Sequence, residues 1–267
     1  MARIGLIAGY GSLPIVFADA ARKRGDEVVV FALKGVTPEE IAGHAEKVHW
    51  FEWGNLQKAL FVLATERLKK IAMLGKIKKD LLFQGDEKLD STLKGIVGRI
   101  GDRKDYSILN KVSKAMASFG VEVMDPTEYL GELIPVKGVI TKRAPAENEI
   151  SDINYGTEIA GKLAGFDIGQ TIAVRDKTII AIEAVEGTNE MIKRAGSLCK
   201  IGFSVVKVAR PVQDMRFDIP VIGPDTITAL ARALGKALAL EEKKTLLLEK
   251  DEVIRLANES GIAVVII

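Results

Sequence analysis

Short apolar runs alternate with amphipathic helical patterns through the first half of the chain, and this order restricts the fold more than any other feature. Ile4 to Ala8 is an apolar run ending in Gly9-Tyr10-Gly11; an Ala-rich helical pattern follows from Pro14 to Arg24, and a second apolar run spans Val28 to Leu33. The order recurs with Val48 to Phe51, a helix over Leu56 to Leu68, Ile71 to Leu74, a helix over Tyr106 to Phe119 and Val121 to Met124. Strands buried on both faces are apolar throughout, and parallel neighbours need a helical crossover. The pattern therefore predicts an α/β fold with a parallel, doubly wound, Rossmann-like amino-terminal domain.

The alternation weakens around Pro135, Gly138 and Pro145, and the polar string Glu147-Asn148-Glu149 precedes a new helical pattern near Ser151. The expected division is a first domain over 1–134, a linker over 135–148 and a distinct α/β domain over 149–267. In the second half, Thr171 to Val174, a turn at Arg175-Asp176-Lys177 and Thr178 to Ala184 predict a hairpin. Beyond it the pattern predicts a helix over Asn189 to Leu198, a strand over Phe203 to Val208, a helix over Thr226 to Leu240 and strands over Thr245 to Leu248 and Ala263 to Ile267.

A net charge of +2 with Lys and Arg spread along 267 residues lacks the basic stripe of a nucleic-acid binder, so small molecules are the expected partners. Cys199 is the single cysteine, which excludes an internal disulfide framework and a cysteine-rich zinc site. No run approaches the roughly 18 apolar residues of a membrane span. The expectation is a cytoplasmic protein, and an oligomer is compatible with the chain.

Two segments carry chemistry. Gly9-Tyr10-Gly11-Ser12-Leu13-Pro14 lies between a strand and a helix, where glycines allow close backbone approach and free N–H groups face an anion. The same two glycines also serve a plain tight turn. Pro14 replaces the third glycine of a dinucleotide fingerprint, and the second strand ends in Leu33-Lys34 rather than an acidic residue, which disfavours an NAD enzyme. The stronger signal is Ile182 to Asn189, with Glu183, Glu186, Gly187 and Thr188 leaving a strand end, followed by Lys207 to Pro220 and Gly223-Pro224-Asp225. Hydrolysis of a phosphoanhydride needs countercharge for two phosphates and a positioned water, which Lys or Arg donors and a carboxylate-held Mg²⁺ supply together. Asp214 and Asp218 project to one side in a helix or an extended segment. Asp225 also suits a helix cap and Glu183 an exposed hairpin position. His44 and His49 are read as surface or core residues without a role, Trp50 and Trp53 as packing with a base-stacking surface as the alternative, and Lys76, Lys78 and Lys79 as solvated with phosphate contact as the alternative.

At these residues the chain resembles the LpxI-type UDP-2,3-diacylglucosamine pyrophosphatases of lipid A biosynthesis. The matching stretches are Gly9 to Pro14, Asp167-Ile168-Gly169-Gln170-Thr171, Ala181 to Thr188, and Gln213-Asp214-x-Arg216-x-Asp218-x-Pro220 leading into Gly223-Pro224. One departure is Asn189, where the family pattern is expected to carry Asp. The resemblance implies a Mg²⁺-dependent (or Mn²⁺-dependent) hydrolase with its substrate between the two domains, releasing UMP and 2,3-diacylglucosamine 1-phosphate.

On this reading Asp214 and Asp218, with Glu186 or Asp225, hold the metal, and Lys207 and Arg216 offset pyrophosphate charge. Gly9, Gly11, Ser12, Leu13, Gln170, Glu183, Gly187 and Thr188 contact substrate. The acyl chains call for an apolar groove and for transient contact with the cytoplasmic membrane face. Two other classes are kept in view: a nucleotide-sugar oxidoreductase, and a non-catalytic sensor that binds a nucleotide-linked lipid.

Overall fold

The computed structural model describes residues 1–76, 90, 91, 94, 105–211, 213–217 and 219–267. They form two compact units. One comprises Met1–Leu130 and the segment that begins at Asp214; the other comprises Gly131–Gln213 and Ile219–Ile267.

The first unit is built on a five-stranded sheet of β1 (Arg3–Ala8), β2 (Glu27–Leu33), β3 (Lys47–Phe51), β4 (Lys70–Leu74) and β5 (Glu122–Val123), in the order β3-β2-β1-β4-β5. All neighbours are parallel, as the apolar runs require. Helices α1 (Leu13–Lys23), α2 (Leu56–Thr65) and α3 (Asp105–Ser118) belong to the same unit. Pro at the start of α1 and basic Arg22 and Lys23 in its last turn suit the two ends of the helix dipole. Val29, Phe31, Leu63, Ile71, Met116 and Val123 share one buried core, against which the half-buried Phe217 also packs.

Charge in this unit collects at the amino-terminal edge of the sheet. Glu66, just past α2, is buried and receives Arg3 at 2.8 Å, Lys47 at 2.7 Å and His49 at 2.6 Å. The Lys47 hydrogen bond holds its carboxyl down at about 2, with His49 and Arg3 adding to the effect and burial opposing it. Tyr129, in a one-turn helix Thr127–Leu130, donates to Asp26 at 2.7 Å; burial and that carboxylate push its hydroxyl up to about 12.

The second unit carries a six-stranded sheet. Its strands are β6 (Gly138–Val139), β7 (Thr171–Arg175), β8 (Thr178–Ile182), β9 (Ser204–Lys207), β11 (Ala237–Leu240) and β13 (Ala263–Ile266), in the order β6-β13-β11-β9-β7-β8. A separate parallel pair joins β10 (Val221–Ile222) to β12 (Leu246–Leu247). Helices α4 (Glu147–Gly165), α5 (Thr188–Leu198), α6 (Pro224–Arg232) and α7 (Lys250–Glu259) belong to the same unit. β9, β11 and β13 run parallel, whereas β7 is antiparallel to both β8 and β9.

Three expectations change. The helix predicted over Thr226 to Leu240 stops at Arg232: Leu234 takes a left-handed conformation, Gly235 N–H closes onto Leu230 O at 2.8 Å, and the apolar Ala237–Leu240 run is a fully buried strand. The helix expected from Ser151 begins at Glu147, because Glu149 reaches back to the Ala146 N–H at 2.8 Å and pairs with Arg143. Within the stretch read as a linker, Gly138–Val139 pairs with β13 as an edge strand. The hairpin turn at Asp176-Lys177 has both residues at positive φ, and Asp152, buried on α4, accepts both their N–H groups at 3.1 and 2.7 Å.

Candidate functional site

In the second unit the antiparallel placement of β7 brings three strand ends to one edge of the sheet. Thr171, the first residue of β7, stands directly opposite Lys207, the last residue of β9. Glu183 follows the last residue of β8, and its N–H donates to Thr171 O at 2.8 Å. The side chains meet. Lys207 Nζ donates to Thr171 Oγ1 at 3.1 Å and to Thr188 Oγ1 at 2.9 Å, and lies 3.7 Å from Glu183 Oε2. Thr188, which opens α5 beside Gly187, donates its hydroxyl to Glu183 Oε1 at 2.8 Å.

Lys207 is 6 % exposed. Removing an ammonium from water costs several kcal/mol unless charge and hydrogen bonds replace the lost solvation, and here two hydroxyls and a carboxylate do so. Glu183 Oε2 is buried and accepts no hydrogen bond among the described residues; at 3.7 Å the ammonium neutralises it without bonding it. The corner therefore holds an ammonium in a fixed position, balanced by Glu183, at the carboxyl ends of parallel strands, where α/β sheets bind ligands.

Gly169 makes this packing feasible. A Cβ built there falls 1.9 Å from Glu183 O, so any side chain would force the two backbones apart. Gln170 O accepts the Val208 N–H at 2.9 Å, and Asp167 pairs with Arg210 at 2.7 Å. Glu241 accepts the Ala209 N–H at 2.7 Å and so directs the chain as it leaves β9. Asn189 Oδ1 accepts from Thr226 Oγ1 at 3.2 Å, tying the amino ends of α5 and α6.

The other expected site residues have the following partners. Glu186 pairs with Arg194 at 2.7 Å and accepts the Ala184 N–H; burial alone would raise its carboxyl, but these bonds and its own N–H hold it below the usual range. Asp225 is exposed in the first turn of α6, whose cap position is Gly223, so it complements the helix dipole rather than capping it. In the first unit Asp214 grips Arg216 through both oxygens, at 2.9 Å to Nε and 2.7 Å to Nη2. That guanidinium holds the Asp214 carboxyl below its ordinary value against the effect of burial, and Arg216 also stacks 4.8 Å over Phe217. Asp218, Lys78 and Lys79 lie outside the described residues.

The glycine loop occupies the carboxyl end of β1, at the point where the strand order reverses between β1 and β4. Tyr10 and Lys76 exchange backbone hydrogen bonds at 2.8 and 2.9 Å, and a Cβ on Gly9 falls 2.7 Å from Lys76 O. Close approach of the loop after β4 thus explains Gly9 by itself. Gly11 follows, Ser12 takes the cap position of α1 without a side-chain cap bond, and Leu13 is buried. Lys34, at the end of β2, pairs with Glu52.

Among the described residues no group of three His, Cys, Asp or Glu side chains is placed to hold a metal ion. Asp214 and Glu186 are each paired with an arginine of their own unit.

Family models cover nearly the whole chain: the LpxI N-terminal domain matches residues 3–133 and the LpxI C-terminal domain residues 136–265. The chain belongs to the LpxI family. The UDP-2,3-diacylglucosamine pyrophosphatase LpxI of Caulobacter vibrioides is 27% identical over 277 residues, covering 99% of this chain and 97% of that protein. A solved structure of N5-carboxyaminoimidazole ribonucleotide synthetase with ADP aligns with 55% of this chain and 38% of its own at 20% identity, with a TM-score of 0.24, too low to inform the fold. Membership gives the Asp167–Thr171 and Ala181–Thr188 stretches a common physical sense, because both converge on Lys207. Sequence reasoning paired neither Thr171 with Lys207 nor Asp167 with Arg210, although a threonine at a strand mouth inside a matched stretch was the available signal.

Proposed function

We propose that the chain hydrolyses the pyrophosphate of UDP-2,3-diacylglucosamine to UMP and 2,3-diacylglucosamine 1-phosphate. Membership in the LpxI family supports a hydrolase of the pyrophosphatase type, and the buried Lys207 corner is the observation that carries the reading. A diphosphate in water is already solvated, so a protein gains by presenting a fixed cation that needs no reorganisation as charge shifts to the bridging oxygen. Water adds to the sugar-side phosphorus, the bond from that phosphorus to the bridging oxygen breaks, and UMP leaves with that oxygen. Lys207 and Arg216 offset the charge, and the Gly9–Leu13 loop takes the uridine or a phosphate.

Phe166 and Ile168, beside Gly169, and Val185, two residues past Glu183, are exposed on the loops that frame the corner. Apolar side chains there suit a substrate with two acyl chains and brief contact with a membrane surface. Among the described residues no helix is long and apolar enough to cross a membrane. A requirement for Mg²⁺ or Mn²⁺ belongs to the same reading.

Phosphorus NMR of the protein with UDP-2,3-diacylglucosamine and Mg²⁺ tests it. Two product resonances are expected, lost with EDTA and in Asp214→Ala. An unchanged spectrum with tight binding would instead favour the lipid-nucleotide sensor, and turnover that survives EDTA would remove the metal.

A further inference from the structure

Two cations stand at the carboxyl end of β9, and one five-residue stretch reaches both. Thr171 Oγ1 accepts from Lys207 Nζ at 3.1 Å, Gln170 O accepts from Val208 N–H at 2.9 Å, and Asp167 Oδ1 lies 2.7 Å from Arg210 Nη2. The contacts run along the two chains in opposite directions: Gln170 and Val208 extend the antiparallel register of β7 and β9 by one pair, and Asp167 reaches Arg210 through its side chain. Gly169 lets the stretch lie against the Glu183 carbonyl, which fixes it to the same corner from the other side.

We propose that Asp167–Thr171 is a cation-positioning loop, with Thr171 the positioning residue for Lys207 and Asp167 that for Arg210. It sets the two charges in place before the diphosphate arrives. A lysine side chain has four rotatable bonds and an arginine nearly as much freedom, so immobilising them in advance removes an ordering cost from the binding step. Thr171 is fully buried, and its hydroxyl has a charged partner rather than solvent. A valine there keeps the shape and removes the acceptor.

The proposal rests on the hydrolase reading, and its test separates the two. Thr171→Val and Thr171→Ser are compared for kcat and KM on UDP-2,3-diacylglucosamine, for melting temperature, and for labelling of Lys207 by trinitrobenzenesulfonate, quantified by peptide mass spectrometry. Thr171→Val is expected to lose roughly tenfold in kcat/KM and to label faster at Lys207, because the amine loses one of the two hydroxyls that hold it in place. Thr171→Ser stays close to the parent in both. Asp167→Asn is expected to lower kcat/KM in the same direction. A folded Thr171→Val protein in which kcat/KM or labelling stays at the parent value overturns the proposal, as does a change confined to melting temperature. A parent protein that does not hydrolyse the substrate overturns the hydrolase reading instead, and the labelling comparison still decides whether the loop holds Lys207.

Discussion

The Glu66 cluster of the first unit and the Lys207 cluster of the second lie at opposite ends of their respective sheets. In the first, buried Glu66 with its partners Arg3, Lys47 and His49 sits at the amino-terminal edge, and the carboxyl edge near β1 is shaped by glycines and backbone bonds. In the second, Lys207, Glu183, Thr171 and Thr188 gather at the carboxyl edge of β8 and β9. The first arrangement stabilises a scaffold; the second holds a buried ammonium where a ligand is expected to meet it.

The largest effect should come from the charged corner. Lys207→Met is expected to lower kcat/KM on UDP-2,3-diacylglucosamine by roughly a hundredfold or more, with thermal melting measured alongside because the change strands Glu183. Full activity in a folded variant would reverse the assignment of roles to the two edges. Glu66 should contribute on the order of 2–3 kcal/mol to folding. Its folded pKa of about 2 lies below the ordinary carboxylate value of 4.5, so the contribution is complete above about pH 4.5 and declines as the pH falls towards 2. Urea denaturation from pH 6 to pH 2.5 should therefore show a slope that Glu66→Gln flattens. Gly9→Ala should destabilise by about 1–3 kcal/mol, since the added carbon meets the Lys76 carbonyl, and calorimetry measures it. Ser12→Ala should change stability by under about 0.5 kcal/mol, because no cap bond is lost; a large loss of substrate affinity in that variant would identify the hydroxyl as a ligand contact.

Much of the first unit's fold was legible in the chain. Period and crossover length announced the first sheet, since five apolar runs separated by helical patterns have few other ways to pack. The second sheet was harder: Ala237–Leu240 is too alanine- and leucine-rich to distinguish from the helix before it, and only the Leu234-Gly235 break marks the change. Strand order there is non-local, so nothing adjacent in sequence announces that Thr171 faces Lys207. The charged segments were visible as clusters, but the pairing of Asp214 with Arg216 and of Glu186 with Arg194 was not, because composition lists charges without saying which of them satisfy one another.

Phe217 bears on how the molecule is made. It packs against the core of the first unit, yet it is encoded after most of the second. During synthesis the first sheet can assemble early, but that patch of its core stays uncovered until Phe217 has left the ribosome. A fragment ending at Leu130 should consequently be stickier than its sheet alone would imply, and its solubility should improve when a peptide spanning Gln213 to Pro220 is supplied in trans.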